Sequence, residues 1–222
     1  MQEKMDSRCA VCANTYCRKN QKNPNSPICP MEDEELYEKA KEIVLSEDYN
    51  EFFINSSKVE KIGYNRFPRI KEIMVFIKMM GYKRVGLAFC GGLMNEARIV
   101  DRIFRENGIN LISAMCKTGG CDKCQVGLKE EEKLRPGEFE PMCNPVAQAL
   151  ILNKEKTEFN IVMGLCVGHD SLFYKFSDSL VTTLIVKDRN TGHNPVAAIY
   201  GADGYFKDRI KVSESDLEIK KD

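Results

Sequence analysis

Between residues 84 and 188 the chain keeps returning to one pattern: a short unbroken apolar run, a stop at glycine or charge, then a stretch of helical periodicity. RVGLAFC (84–90) meets Gly91 and Gly92 and is followed by MNEARIVDRIFRENG. INLISAMC (109–116) comes next, and after a Gly-rich, charged loop NPVAQALILNKEK leads to FNIVMGLCV (159–167), DSLFYKFS and LVTTLIVKD (180–188). Apolar runs without period-two alternation suit strands buried on both faces, and the helices between them supply the crossovers that parallel strands require. The pattern predicts an α/β fold: a mostly parallel sheet of at least four strands, helices on both faces, Rossmann-like in layout. A last helical stretch, NPVAAIYGADGYF, closes the series.

The residues before this region differ in kind. EDEELYEKAKEIVLS (32–46) spaces Leu36, Ala40, Ile43 and Val44 along one helical face, with acids in the first turn where the helix dipole favours them. A second helix is predicted over 67–80, with Pro68 tolerated in the first turn and Gly81 closing it, and a polar connector lies between the two. Residues 1–31 contain hardly any core material but hold Cys9, Cys12, Cys17 and Cys29. The expected organisation is a cysteine-rich metal-binding module (1–31), a helical segment packed on the main domain (32–82) and an α/β domain (83–222) with a pocket at the carboxyl ends of its strands.

Charge and hydropathy exclude two classes of partner. Lys plus Arg and Asp plus Glu are equal at 33 each over 222 residues, which leaves no basic footprint for nucleic acid. The N-terminal stretch lacks the apolar core of a secretory signal, and the most hydrophobic segment, IMVFIKMMGY, is short and interrupted by Lys78, so no membrane partner is expected. The expected location is cytoplasmic. In that reducing compartment ten cysteines point to metal binding or thiol chemistry rather than to disulfides.

Cys90, Cys116, Cys166 and the pair Lys187 and Asp188 all fall at or near the carboxyl ends of predicted strands, the edge at which open parallel sheets bind ligands. Two copies of one pattern join them: CNPVA (143–147) and HNPVA (193–197). Asn is a good helix cap and Pro is favoured in the first turn, so Asn144 and Asn194 are expected to cap helices. Cys143 and His193 then sit just before a helix start, where the dipole lowers a thiol pKa and backbone N–H groups hold anions. Asp170 or Ser171 is expected to cap the following short helix, leaving His169 to project. A single cysteine at a strand end is ordinarily a small buried hydrophobe, but several thiols and both histidines at one edge predict a pocket. Cys90, Cys143, Cys166, His169 and His193 are its candidates for chemistry, with Cys143 expected as the most reactive thiol. Asn144, Lys187, Asp188, Arg189 and Asn194 are candidates for holding a small anionic ligand.

Metal ligation has two candidate sets. Cys9, Cys12, Cys17 and Cys29 include a CxxC turn, and four thiolates fill a tetrahedral structural zinc site, so zinc is the first choice there and an iron–sulfur cluster the next. Cys116, Cys121 and Cys124 in CKTGGCDKC reproduce the C-x4-C-x2-C part of the plant-type ferredoxin spacing, with Cys143 available as a fourth ligand. The same loop can equally be read as Gly-rich, with Cys121 and Cys124 incidental or a redox pair.

The strings CAVC followed by CPM, CNPVAQALILN, GLCVGHDSLF and VKDRNTGHNPVAAIY resemble a family of uncharacterised prokaryotic metal-binding proteins of archaea and anaerobic bacteria. The resemblance implies metal binding, supports the N-terminal cysteine set, and marks Cys143, Cys166, His169, Asp170, Lys187, Asp188, Arg189, His193 and Asn194 as motif positions. The functional expectation is a metal-binding protein with a Cys/His-lined pocket for a small anionic ligand. The alternatives are an iron–sulfur electron-transfer or redox enzyme, and a metal-sensing or metal-handling protein without turnover.

Overall fold

The computed structural model describes residues 7–12, 15–23 and 29–219, which form two compact units, Met1–Ile62 and Gly63–Asp222. In the first unit Cys9–Val11, Tyr16–Lys19 and Pro30–Glu32 are single turns with no buried residue. Helix α1 (Glu34–Leu45) starts where Asp33 accepts the Leu36 N–H at 3.0 Å. Helix α2 (Asn50–Gly63) occupies the stretch expected as a connector. Phe52, Phe53 and Ile54 are consecutive and spread round the helix, so no single apolar face marks it. The remainder of the expected metal module, residues 1–6, 13, 14 and 24–28, lies outside the described residues.

The second unit starts at Gly63, so α3 (Arg69–Met80) belongs with the sheet rather than with the helices before it. The sheet has four parallel strands, β1 (Val85–Phe89), β2 (Leu111–Met115), β3 (Phe159–Met163) and β4 (Val181–Ile185), in the order β2-β1-β3-β4. Helices α4 (Met94–Glu106), α5 (Pro145–Lys154) and α6 (His169–Phe176) connect them in turn, and α7 (Val196–Tyr200) follows β4. The α/β class and the parallel sheet read from the apolar runs are therefore present. Among the described residues no helix is long and apolar enough to cross a membrane.

Residue parity sorts the two faces of the sheet. Ala88, Ala114 and Val162 point to one face, where they pack with Ala149 and Leu152 of α5 and Phe173 of α6. On the other face the ring of Phe159 lies 5.4 Å from that of Phe76 in α3 and 5.8 Å from that of Tyr82. The right-handed crossover rule places α4 on that second face as well, because β1 to β2 runs in the opposite direction to β2 to β3. Phe104 and Phe173 are fully buried, each a contribution of roughly 1.5–3 kcal/mol from apolar area removed from water.

The strand order has a consequence for the site. The chain leaves β1 toward β2 and then crosses back to β3, so β1 and β3 are neighbours whose outgoing loops diverge, and a crevice opens at their carboxyl ends. The loop after β1 begins at Cys90 and the loop after β3 at Gly164. Gly164 has φ +64°, and a Cβ there would stand 2.2 Å from Leu93, so only glycine lets β3 turn this sharply beside the β1 loop. That turn ends the strand at Met163, three residues earlier than the apolar run implies it could continue to Cys166.

Candidate functional site

Sheet hydrogen bonding continues past the strand ends and carries three cysteines with it. Cys90 N–H donates to the Met163 carbonyl at 3.1 Å, Cys116 N–H to Phe89 at 3.0 Å, and Asn144 N–H to Cys116 at 2.7 Å. The last of these sets Cys143 beside Cys116 although they are far apart in sequence. Asn144 holds that position from the other side, its Oδ1 accepting the Ala147 N–H at 2.9 Å to cap α5, with Pro145 in the first turn. Cys166 follows the Gly164 turn, and His169 opens α6 behind the N-cap Gly168. Cys90, Cys116, Cys143, Cys166 and His169, with Pro145, Gln148 and Leu165, line one narrow cleft.

Inside the cleft Cys116 stands between Cys90 and Cys143, near enough for its thiol to act on the acidity of each. Not all three sulfurs lie within 4.8 Å of one another, so they form a row with Cys116 in the middle rather than a closed triangle. The Cys116 thiol is pushed far up by its neighbours Cys143 and Cys90 and by burial, against the Gly91 N–H that donates to its sulfur at 3.3 Å. Cys90 is lowered to about 4, chiefly by its neighbour Cys116 and further by the Gly92 N–H and the Lys187 ammonium, with burial opposing. Cys143 is lowered to about 5, again chiefly by Cys116, then by Lys117 and His169 against burial. The helix start contributes position here, and the neighbouring thiol dominates the acidity.

Cationic side chains flank the sulfurs: Lys187 helps lower Cys90 and Lys117 helps lower Cys143, while Arg189 Nη2 donates to Cys166 at 3.2 Å. Asp188 instead accepts the N–H groups of Asn190 and Thr191 at 2.9 and 3.0 Å, which folds the loop that presents Lys187 and Arg189. His193 is tied into the same loop, its N–H donating to Asp188 O at 2.7 Å and its Nδ1 accepting the Asp188 N–H at 3.1 Å, and it is not among the residues lining the cleft. Helix α7 is capped by Pro195, so Asn194 supplies a backbone carbonyl to Ala197 rather than a side-chain cap. Asp170 and Ser171 likewise fall inside the first turn of α6, where Asp170 Oδ1 accepts the Ser171 N–H.

The two expected metal sets look different in three dimensions. Cys116 belongs to the row, whereas Cys121 donates to Gln125 Oε1 at 3.1 Å and Cys124 to Glu130 Oε1 at 3.2 Å. Among the described residues, Asp122, Cys124 and Glu130 are the trio of metal-capable side chains whose ligand atoms all lie within 4.8 Å. A cation already sits there: the buried Lys133 ammonium is 2.6 Å from Glu130 and 3.2 Å from Asp122. Asp122 is held at about 2, chiefly by the N–H groups of Cys124 and Glu140, and Glu130 at about 2, chiefly by Lys133. In the N-terminal unit none of Cys9, Cys12, Cys17 and Cys29 is buried, and Cys12 accepts from Asn23 Nδ2 at 3.8 Å.

Gln148 and Lys117 are site residues that motif reading passes over. Gln148 lies fully buried on α5, its Nε2 donating to the carbonyls of Phe89 at 3.2 Å and Ala114 at 2.7 Å. A buried Gln in an otherwise apolar helix, PVAQALILN, is the one signal that marks it in the sequence.

A doubly wound α/β unit with a thiol-lined cleft at its switch point defines the class. Residues 29–184 match the family described as protein of unknown function DUF1847, more than half of the chain, and the protein belongs to that family. The match includes all the cysteines of the cleft and stops short of Cys9, Cys12, Cys17 and the 187–197 segment. The chain is also similar to the uncharacterized protein MJ0455 of Methanocaldococcus jannaschii, 46% identical over 145 residues, which are 65% of this chain and 73% of that protein. No solved structure matches it.

Proposed function

We propose that the strand-end cleft binds a soft metal ion through Cys90, Cys116 and Cys143, with Cys166 and His169 at its rim, and that the metal and cleft together hold a small ligand. The observation that carries this is the convergence of Cys90, Cys116, Cys143 and Cys166, with His169, on one cleft at the strand ends. Thiolate is the form that ligates metal, and Cys90 and Cys143 are shifted toward it while Cys116 is shifted away, so metal binding is expected to release protons. Sulfur donors favour zinc, copper(I) and iron over magnesium or calcium. Tetrahedral thiolates at about 2.3 Å from zinc stand about 3.8 Å apart, so a bound metal draws the row into a triangle. Lys187, Lys117 and Arg189 then offset the negative charge that several thiolates place on one ion.

Equilibrium dialysis of reduced, metal-free protein against zinc tests the reading. The expected result is a binding equivalent that disappears in Cys116→Ser and persists in Cys121→Ser. Zinc retained at full stoichiometry by Cys116→Ser contradicts it. Anaerobic purification giving brown protein with iron and sulfide transfers the same ligands to an iron–sulfur cluster and favours the redox alternative.

A further inference from the structure

Gln148 stands out because it is fully buried in the cleft lining yet only half satisfied. Its Nε2 donates to Phe89 O and Ala114 O, bridging the ends of β1 and β2. An amide turned the other way would set its oxygen against both carbonyls, so its orientation is settled by those bonds. Oε1 is left buried with no hydrogen-bond partner among the described residues, in a side chain that is 0% exposed and lines the cleft. His169 Nδ1 lines the same cleft and is likewise buried without a partner. The sulfurs, in contrast, have polar neighbours: Arg189 Nη2 donates to Cys166, the Gly91 N–H donates to Cys116, and the cations Lys187 and Lys117 act on Cys90 and Cys143. What the cleft lacks is a polar hydrogen aimed at Gln148, since a carboxamide oxygen can only accept and a native fold rarely buries one without a donor.

We propose that Gln148 is the specificity-determining residue of the cleft: its Oε1, with His169 Nδ1 as a second contact, accepts a hydrogen bond from a small ligand carrying an N–H or O–H group. The inference rests on the reading of the cleft as a metal and ligand site, and it shifts the ligand from a simple anion to a protic molecule of a few non-hydrogen atoms. A site built to accept from such a group discriminates against an analogue lacking it, because the buried oxygen is then left unpaired.

Imidazole and 1-methylimidazole separate the two claims. Both present a ring nitrogen to zinc, but only imidazole carries an N–H. On zinc-loaded, full-length protein imidazole is expected to bind about tenfold more tightly, the worth of one hydrogen bond. Gln148→Met should keep the zinc and lose the preference. In wild-type protein with carbon-13 labelled glutamine, the Gln148 side-chain carbonyl resonance should move with imidazole and stay with 1-methylimidazole, a readout that does not depend on the variant folding. Equal affinities on zinc-loaded protein, or a carbonyl that moves on zinc loading alone, overturn the role of Gln148 and leave the metal reading standing. If zinc does not bind at the strand-end cysteines the metal reading fails. The carbonyl shift is then read on metal-free protein, where a response to imidazole alone supports the role of Gln148 and none overturns it.

Discussion

Cys116 is 2% exposed and packed in one cluster with Cys90 and Cys143, whereas Cys9 lies open to solvent in a three-residue turn that buries nothing. Both belong to groups of four cysteines, and spacing alone makes the N-terminal group the better metal motif. The difference is in what brings the sulfurs together. At the strand ends, register and a loop-to-strand hydrogen bond place Cys90, Cys116 and Cys143 in a row at the edge of a packed core, before any ion arrives. The N-terminal cysteines have no core to position them, so any convergence there must come from the metal itself, as in small metal-organised modules. The comparison teaches that one chain can hold cysteines pre-organised by folding beside cysteines that only binding would organise.

The largest expected effect that sharpens this contrast comes from the core under the row. Phe173→Ala should cost about 3–5 kcal/mol in denaturant unfolding, because Phe173 is fully buried in the cluster containing Cys90 and Cys116. Thiol reactivity at the strand ends should change with it. A smaller loss, about 1 kcal/mol, is expected for Asn144→Ala, which removes the cap of α5 and the support of Cys143. Unchanged stability and unchanged labelling of Cys143 would break the link drawn here between helix cap and site.

Acidity offers two further checks. In metal-free protein Cys143, lowered to about 5 and half-exposed, should alkylate at a rate nearly flat from pH 6 to 8, ahead of buried Cys116. A rate that climbs about tenfold per pH unit across that range would show a thiol rather than a thiolate. The loop after β2 should loosen in acid for a separate reason. Asp122 and Glu130 are each held at about 2, below their ordinary values, so the stability they add is present above about pH 4.5 and is lost as pH falls through 2. Hydrogen exchange, corrected for its intrinsic pH dependence, should show Cys124 and Glu140 amides losing protection over that window while β1 and β3 keep theirs. The smallest effect belongs to the N-terminal group: Cys12→Ser should leave the unfolding of the sheet unit within about 0.5 kcal/mol of wild type.

Much of the fold is legible because its signals are local. Buried parallel strands announce themselves as unbroken apolar runs, and Asn144 caps a helix through contacts three residues away. The same pentapeptide logic fails at 193–197: α5 buries Ala149 and Leu152 and extends for ten residues, whereas α7 buries nothing and stops after five, with His193 turned back onto its own loop. A capping signal sets where a helix can start, and tertiary burial decides whether it continues. Helix α2 is missed for the opposite reason, its apolar residues being adjacent rather than periodic. At the site, Cys90, Cys116 and Cys166 are readable as strand-end residues and Cys143 as a helix-start residue, but the grouping of Cys116 with Cys121 and Cys124 followed sequence spacing that the fold separates. Gln148 acts through carbonyls 59 and 34 residues away, contacts that no local pattern encodes.

The most direct test of the account counts sulfurs around the metal when the N-terminal cysteines are gone. Protein with Cys9, Cys12, Cys17 and Cys29 all changed to Ser, loaded with zinc and measured by X-ray absorption, should keep its metal and show about three or more sulfur neighbours near 2.3 Å. Loss of the metal, or a first shell of oxygen and nitrogen alone, would contradict the claim that the folded strand ends are the metal site.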